Sequence, residues 1–170
     1  MLKYPIAVLL ASSVCALLAC SRGEAPEQGA WNESAGARGD DAAMDHVRAG
    51  VRALSQPDAS VEYVAAEMEG VIMARTKSQA LMHYDGYRVQ LTTPGNQVTR
   101  ITFQLIEAKP TIEQLTAVFG EPREVGKGVL YEHASAVTGA NIVILAEPVS
   151  MPADERSLVR RIVIEGARAR

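Results

Sequence analysis

The same order of local signals runs through this chain twice, and a repeat of that kind restricts a fold more than composition does, because each copy must bury its apolar side against something. Ser60-Val-Glu-Tyr-Val and Thr111-Ile-Glu-Gln-Leu both read as capped helix starts. Further on, Ala80-Leu-Met-His-Tyr matches Val129-Leu-Tyr-Glu-His, and Arg100-Ile-Thr-Phe matches Arg161-Ile-Val-Ile, with longer loops in the second copy.

Each copy predicts a short helix followed by three strands. In the first, Ser60 caps the pattern Val61, Val64, Ala65, Met68, which Gly70 closes. Strands are expected over 79–85, 87–93 and 98–106, separated by Asp85-Gly86 and by Pro94-Gly95-Asn96. In the second copy Thr111 and Gln114 form a capping box ahead of Ile112, Leu115, Val118 and Phe119, stopped by Gly120 and Pro122. Strands follow over 128–133, 141–146 and 158–165. Ahead of both copies, Met44, Val47, Val51 and Leu54 share one helix face behind Asp40 or Asp41 as cap, with Pro57 beyond the end. Ile101, Phe103 and Leu105 alternate with Arg100, Thr102 and Gln104, so the sheet is expected to be covered on one side only. The predicted fold is α+β, an antiparallel sheet backed by short helices. It forms one domain over 41–170, built from tandem helix-plus-three-strand units at 41–108 and 109–170.

The N-terminus carries one base, Lys3, then an apolar run from Ile6 to Ala19 broken only by Ser12, Ser13 and Cys15. A charged start and a short apolar middle predict a signal peptide over 1–19, because a permanent span needs about 20 apolar residues. Leu17-Leu18-Ala19-Cys20 resembles the lipobox of bacterial lipoproteins, with Leu18 bulkier than usual. That resemblance implies that Cys20 is lipidated as the first residue of the mature chain and that the membrane is a partner through this lipid. Several acyl chains anchor firmly, since each buried methylene contributes about 0.8 kcal/mol. Ser21, where an Asp would signal inner-membrane retention, implies sorting to the outer membrane with the domain facing the periplasm. Residues 20–40, rich in Gly, Ala, Glu and Ser with Trp31 the single large apolar side chain, predict a flexible linker. A coil of that length spans roughly 25 Å.

The formal net charge is −3 with both signs interspersed and no basic cluster with interleaved aromatics, which excludes a nucleic-acid partner. Cys15 leaves with the signal and Cys20 is used by lipid, so no thiol remains for a disulfide, a thiolate metal site or a nucleophile. His83 and His133 fall on strands of matching units and invite a metal pair, yet no cluster with ligand spacing accompanies them, and neither metal nor cofactor is expected. Glu132 and His133 are adjacent on a strand and point to opposite faces, so they do not serve one pocket. The chain has no nucleophile elbow, paired-histidine zinc helix or glycine-rich phosphate loop, and the expectation is a protein that is not an enzyme. What remains is a polar sheet face, Arg88, Gln90, Arg100, Thr102, Gln104 and Arg161, bordered by Tyr87 and Tyr131. Arg and Tyr are the side chains that most often anchor protein interfaces.

The short helix ending in Phe119-Gly120-Glu121-Pro122, the strand carrying Tyr131 and two further strands resemble the small domain of SmpA/OmlA-type outer-membrane lipoproteins. Two such units in tandem resemble the fold of the beta-lactamase inhibitor protein, in which a sheet backed by helices grips a partner protein on its open face. The resemblance implies a non-catalytic module that binds an envelope protein as an assembly accessory or scaffold. The alternatives are an inhibitor of a periplasmic enzyme, or a small-ligand or metal-binding protein or enzyme with a pocket between the two units.

Overall fold

The computed structural model describes residues 28–166; the expected signal peptide, Cys20 and the first part of the linker lie outside the described residues. The helix starts form where the caps predict them. The Ser60 hydroxyl accepts from the Tyr63 N–H and starts α2 (Val61–Glu67). Thr111 and Gln114 form the full capping box at the head of α3 (Ile112–Phe119). Strand formers between turn residues then supply β1 (Ile72–Arg75), β2 (Gln79–Tyr84), β3 (Tyr87–Thr92) and β4 (Arg100–Leu105) after α2, and β5 (Arg123–Val125), β6 (Gly128–Ala134), β7 (Asn141–Pro148) and β8 (Val159–Gly166) after α3. The fold is α+β as predicted, with four strands in each unit where sequence indicated three. β1 and β5 are the additions.

All eight strands join one antiparallel sheet in the order β1-β2-β3-β4-β8-β7-β6-β5. The units meet at β4 and β8, where Arg100 pairs with Glu165, Thr102 with Val163 and Gln104 with Arg161. Carrying β4 onto β8 so that Arg100 falls on Arg161 also puts Gln104 on Glu165, and the pairing maps onto itself about Thr102 and Val163. The neighbouring registers extend the match outward. Val89 takes the place of Ile144, and Ala80 and Met82 take those of Val129 and Tyr131. The isolated bridges Ser60↔Gln97 and Thr111↔Leu158 are equivalent in the same way. The edges carry different safeguards against strand addition, a bulge between Ile72 and Ala74 in β1, and short length with charges at Arg123 and Glu124 in β5.

A third helix, α1 (Gln28–Leu54), precedes the repeat and crosses the covered face diagonally. Asp40 accepts from the Lys109 N–H at 2.5 Å near the end of β4, His46 rests on Tyr84 and Tyr87, and the Ser135 hydroxyl donates to the Ser55 carbonyl at the opposite end. Midway, Gly50 lets the helix approach closely, since a Cβ there would lie 3.2 Å from the Cδ1 atoms of both Ile101 and Ile164. The core fills the space between helices and sheet, with Phe103, Ile101, Met82, Leu91, Ile144, Ile162 and Ile164 fully buried. The expected linker is therefore helical from Gln28 onward, and Asp40 and Asp41 lie inside α1 instead of capping it. Elongating a helix that packing has already nucleated adds a bond per residue without a new nucleation cost. No helix among the described residues is long and apolar enough to cross a membrane.

Candidate functional site

Side chains alternate across a sheet, so register decides which residues share the uncovered face. One row crosses all eight strands there as successive partners: Ala74, Leu81, Gln90, Thr102, Val163, Leu145, Leu130 and Arg123. Beside it run Gln79, Thr92, Arg100, Glu165, Val143 and Glu132, and on its other side His83, Arg88, Gln104, Arg161 and Glu147. Arg88, Gln90, Arg100, Thr102, Gln104 and Arg161 thus share one surface. Thr102 sits at its centre, only 7% exposed between its neighbours.

Tyr131 and Tyr87 do not border this surface. Tyr131 pairs with Ile144, points to the covered side and is 1% exposed, its hydroxyl within 3.3 Å of the Thr116 hydroxyl and 3.4 Å of the Ile112 carbonyl. It ties α3 to β6, and burial pushes its hydroxyl pKa up. Tyr87 is buried beside Phe103 in the first unit. The repeat held the signal that assigns Tyr131, because it aligns this residue with Met82, an apolar residue in an alternating strand.

The two halves of the surface differ chemically. Around the second unit, Leu130, Val143, Leu145 and Val163 form an apolar patch that is separate from the core behind the sheet. Ion pairs surround it: Arg100 with Glu165 at 2.5 Å, Arg161 with Glu147 at 3.4 Å and Arg123 with Glu132 at 3.5 Å. Around the first unit the surface is polar, and among the described residues Arg88 has no carboxylate within ion-pair range. An apolar centre inside a polar rim is the usual anatomy of a protein-binding surface. The rim pairs are largely solvent-exposed and contribute little to stability on their own.

No protein family, curated protein or solved structure matches the chain. Chemistry therefore has to be read from the site itself. A shallow cavity of about 240 Å³ lies between the units at the far end of the sheet, lined by Leu54, Gln56, Gln97, Val98, Thr99, Thr138 and Gly166 among others. Its lining holds no ionisable side chain, so it offers no acid, base or charged anchor for a substrate. His83 lies on the open face in β2, while His133 pairs with Ile142 and points to the covered side of β6. They cannot share an ion. Among the described residues, no group of three His, Cys, Asp or Glu side chains gathers around a common point.

Proposed function

We propose that this protein is a lipid-anchored lipoprotein of the bacterial envelope whose open sheet face binds another protein, as an assembly accessory or scaffold and without catalysis. The apolar patch of Leu130, Val143, Leu145 and Val163 inside its ring of ion pairs carries this reading. A solvated sheet face would alternate to polar residues throughout, whereas here the outward positions of β7 and β8 are apolar at the centre. The signal segment and the Leu-Leu-Ala-Cys sequence at Cys20 supply the anchor. The resemblance to the beta-lactamase inhibitor protein fold points the same way, since it too implies a partner on the open face.

The test is cross-linking in the native cells with three forms, the wild type, Cys20→Ala and Leu145→Asp, with captured proteins identified by mass spectrometry. One dominant envelope protein captured by the wild type and lost from both variants is expected. Equal capture by Leu145→Asp would remove the open face from the reading, and equal capture by Cys20→Ala would remove the anchor.

A further inference from the structure

Val163 lies in the central row of the open face, and the outward residues of β8 on either side of it, Arg161 and Glu165, carry opposite charges. That arrangement has a definite symmetry. Consider a second copy laid face to face about a two-fold axis that runs along the row, across the strands. The operation returns each residue of the row to itself and exchanges the two flanking rows. Leu130, Leu145 and Val163 then meet their own counterparts, while Glu165 meets Arg161 of the second copy and Arg161 meets its Glu165. An axis along β8 would instead set Glu165 on Glu165 and Arg161 on Arg161. The face is therefore complementary to itself in the first orientation and repels itself in the second.

The ion pairs within each copy extend the match. Arg100 holds Glu165 at 2.5 Å and Arg161 holds Glu147 at 3.4 Å. On each side of the axis the charges thus run Arg100, Glu165, then Arg161 and Glu147 of the second copy, alternating in sign throughout. The same exchange puts Gln104 opposite Arg100, where its amide oxygen can accept, and Glu147 opposite Val143. Glu147 is already met within its own copy, since Arg160 lies 3.9 Å away beside Arg161. Arg123 would meet its counterpart at the β5 edge, with Glu132 of each copy next to it. The groups that have to meet are accessible: the Glu165 and Arg161 side chains are each 47% exposed, and Leu130, Val143 and Leu145 are partly exposed.

We propose that the open faces of two copies pair in this way, so that the protein forms a face-to-face dimer closed by the apolar patch and by two Glu165–Arg161 contacts. The inference rests on the reading of the open face as a protein-binding surface and makes a second copy of the chain its occupant. Any other protein that uses the same patch has to displace that copy.

The test is analytical ultracentrifugation of the chain without residues 1–19 and carrying Cys20→Ser, from low micromolar to millimolar concentration. A reversible dimer is expected, and Leu145→Asp should keep the chain monomeric throughout. Glu165→Arg and Arg161→Glu should each weaken the dimer about tenfold or more, since each sets like charges on both sides of the axis. Mixed in equal amounts, the two single variants should recover it, because the mixed dimer has opposite charges in both contacts. A circular dichroism melt of each variant separates lost pairing from lost fold. A wild type that stays monomeric, a dimer that Leu145→Asp leaves intact, or folded single variants that mixing does not rescue would each overturn the pairing. Cross-linking in cells reads the binding surface independently. A monomer with Leu145-dependent capture of an envelope protein overturns the second copy alone, whereas a monomer without such capture removes the binding surface as well.

Discussion

Between α1 and the β2–β3 hairpin, the His46 ring lies 4.4 Å from that of Tyr84, and its Nδ1 shares a hydrogen bond with the Tyr87 hydroxyl. Burial lowers the His46 pKa, outweighing the upward pull of Glu69 and Asp45. The tyrosines respond to the same burial in the opposite direction, Tyr84 being pushed up to about 12 and Tyr87 also raised. All three side chains are therefore neutral at neutral pH. A histidine with a lowered folded pKa binds its proton more tightly in the unfolded chain. Its stabilising effect is present above the unfolded value of about 6.5 and is lost as pH falls below that value toward the folded one. The denaturation midpoint should thus drop from pH 7 to pH 5 by more in the wild type than in His46→Gln. Equal drops in the two would show that His46 does not set this dependence.

At the scale of elements, the two helix starts occupy equivalent places and differ in how completely they are capped. Thr111 accepts from the Gln114 N–H at 3.2 Å while the Gln114 side chain accepts from the Thr111 N–H at 2.8 Å, whereas Ser60 makes one bond, at 3.3 Å. Thr111→Ala should lower stability by about 1 kcal/mol and Ser60→Ala by less, as measured by chemical denaturation. The reverse order would mean that the capping box does not hold α3 in place. These caps were legible because they depend on residues three apart in sequence. β1 and β5 were not, being four and three residues long and mostly exposed, so neither shows an alternating pattern. They become strands because β2 and β6 offer them a free edge, which is tertiary information. The apolar patch was hidden for another reason. In a run such as Arg161-Ile-Val-Ile every residue but the first is apolar, and only the register tells that Val163 faces outward while Ile162 and Ile164 face the core. Arg88, Gln90, Arg100 and Gln104 stood out because polar residues in an alternating strand have one side to go to.

At the scale of the molecule, the β4–β8 seam joins what would otherwise be two small sheets, and the core behind it is continuous from Met82 through Ile101 and Ile164 to Ile144. α1 spans both halves, from Lys109 to Ser135. Unfolding should therefore be a single transition, with far-ultraviolet circular dichroism and tyrosine fluorescence coincident. Ile164→Ala should shift that transition by about 2 to 5 kcal/mol without splitting it. Two resolved steps would show that the seam does not couple the units. The local two-fold at Thr102 and Val163 has a consequence for how the open face can vary. A homodimer of one such unit would be bound to show its partner the same half-face twice, and any change would appear on both sides at once. Here Gln90 stands where the other half has Leu145, and Thr102 where it has Val163. With both halves on one chain, each is free to change independently of the other, so a symmetric frame carries two chemically different half-faces.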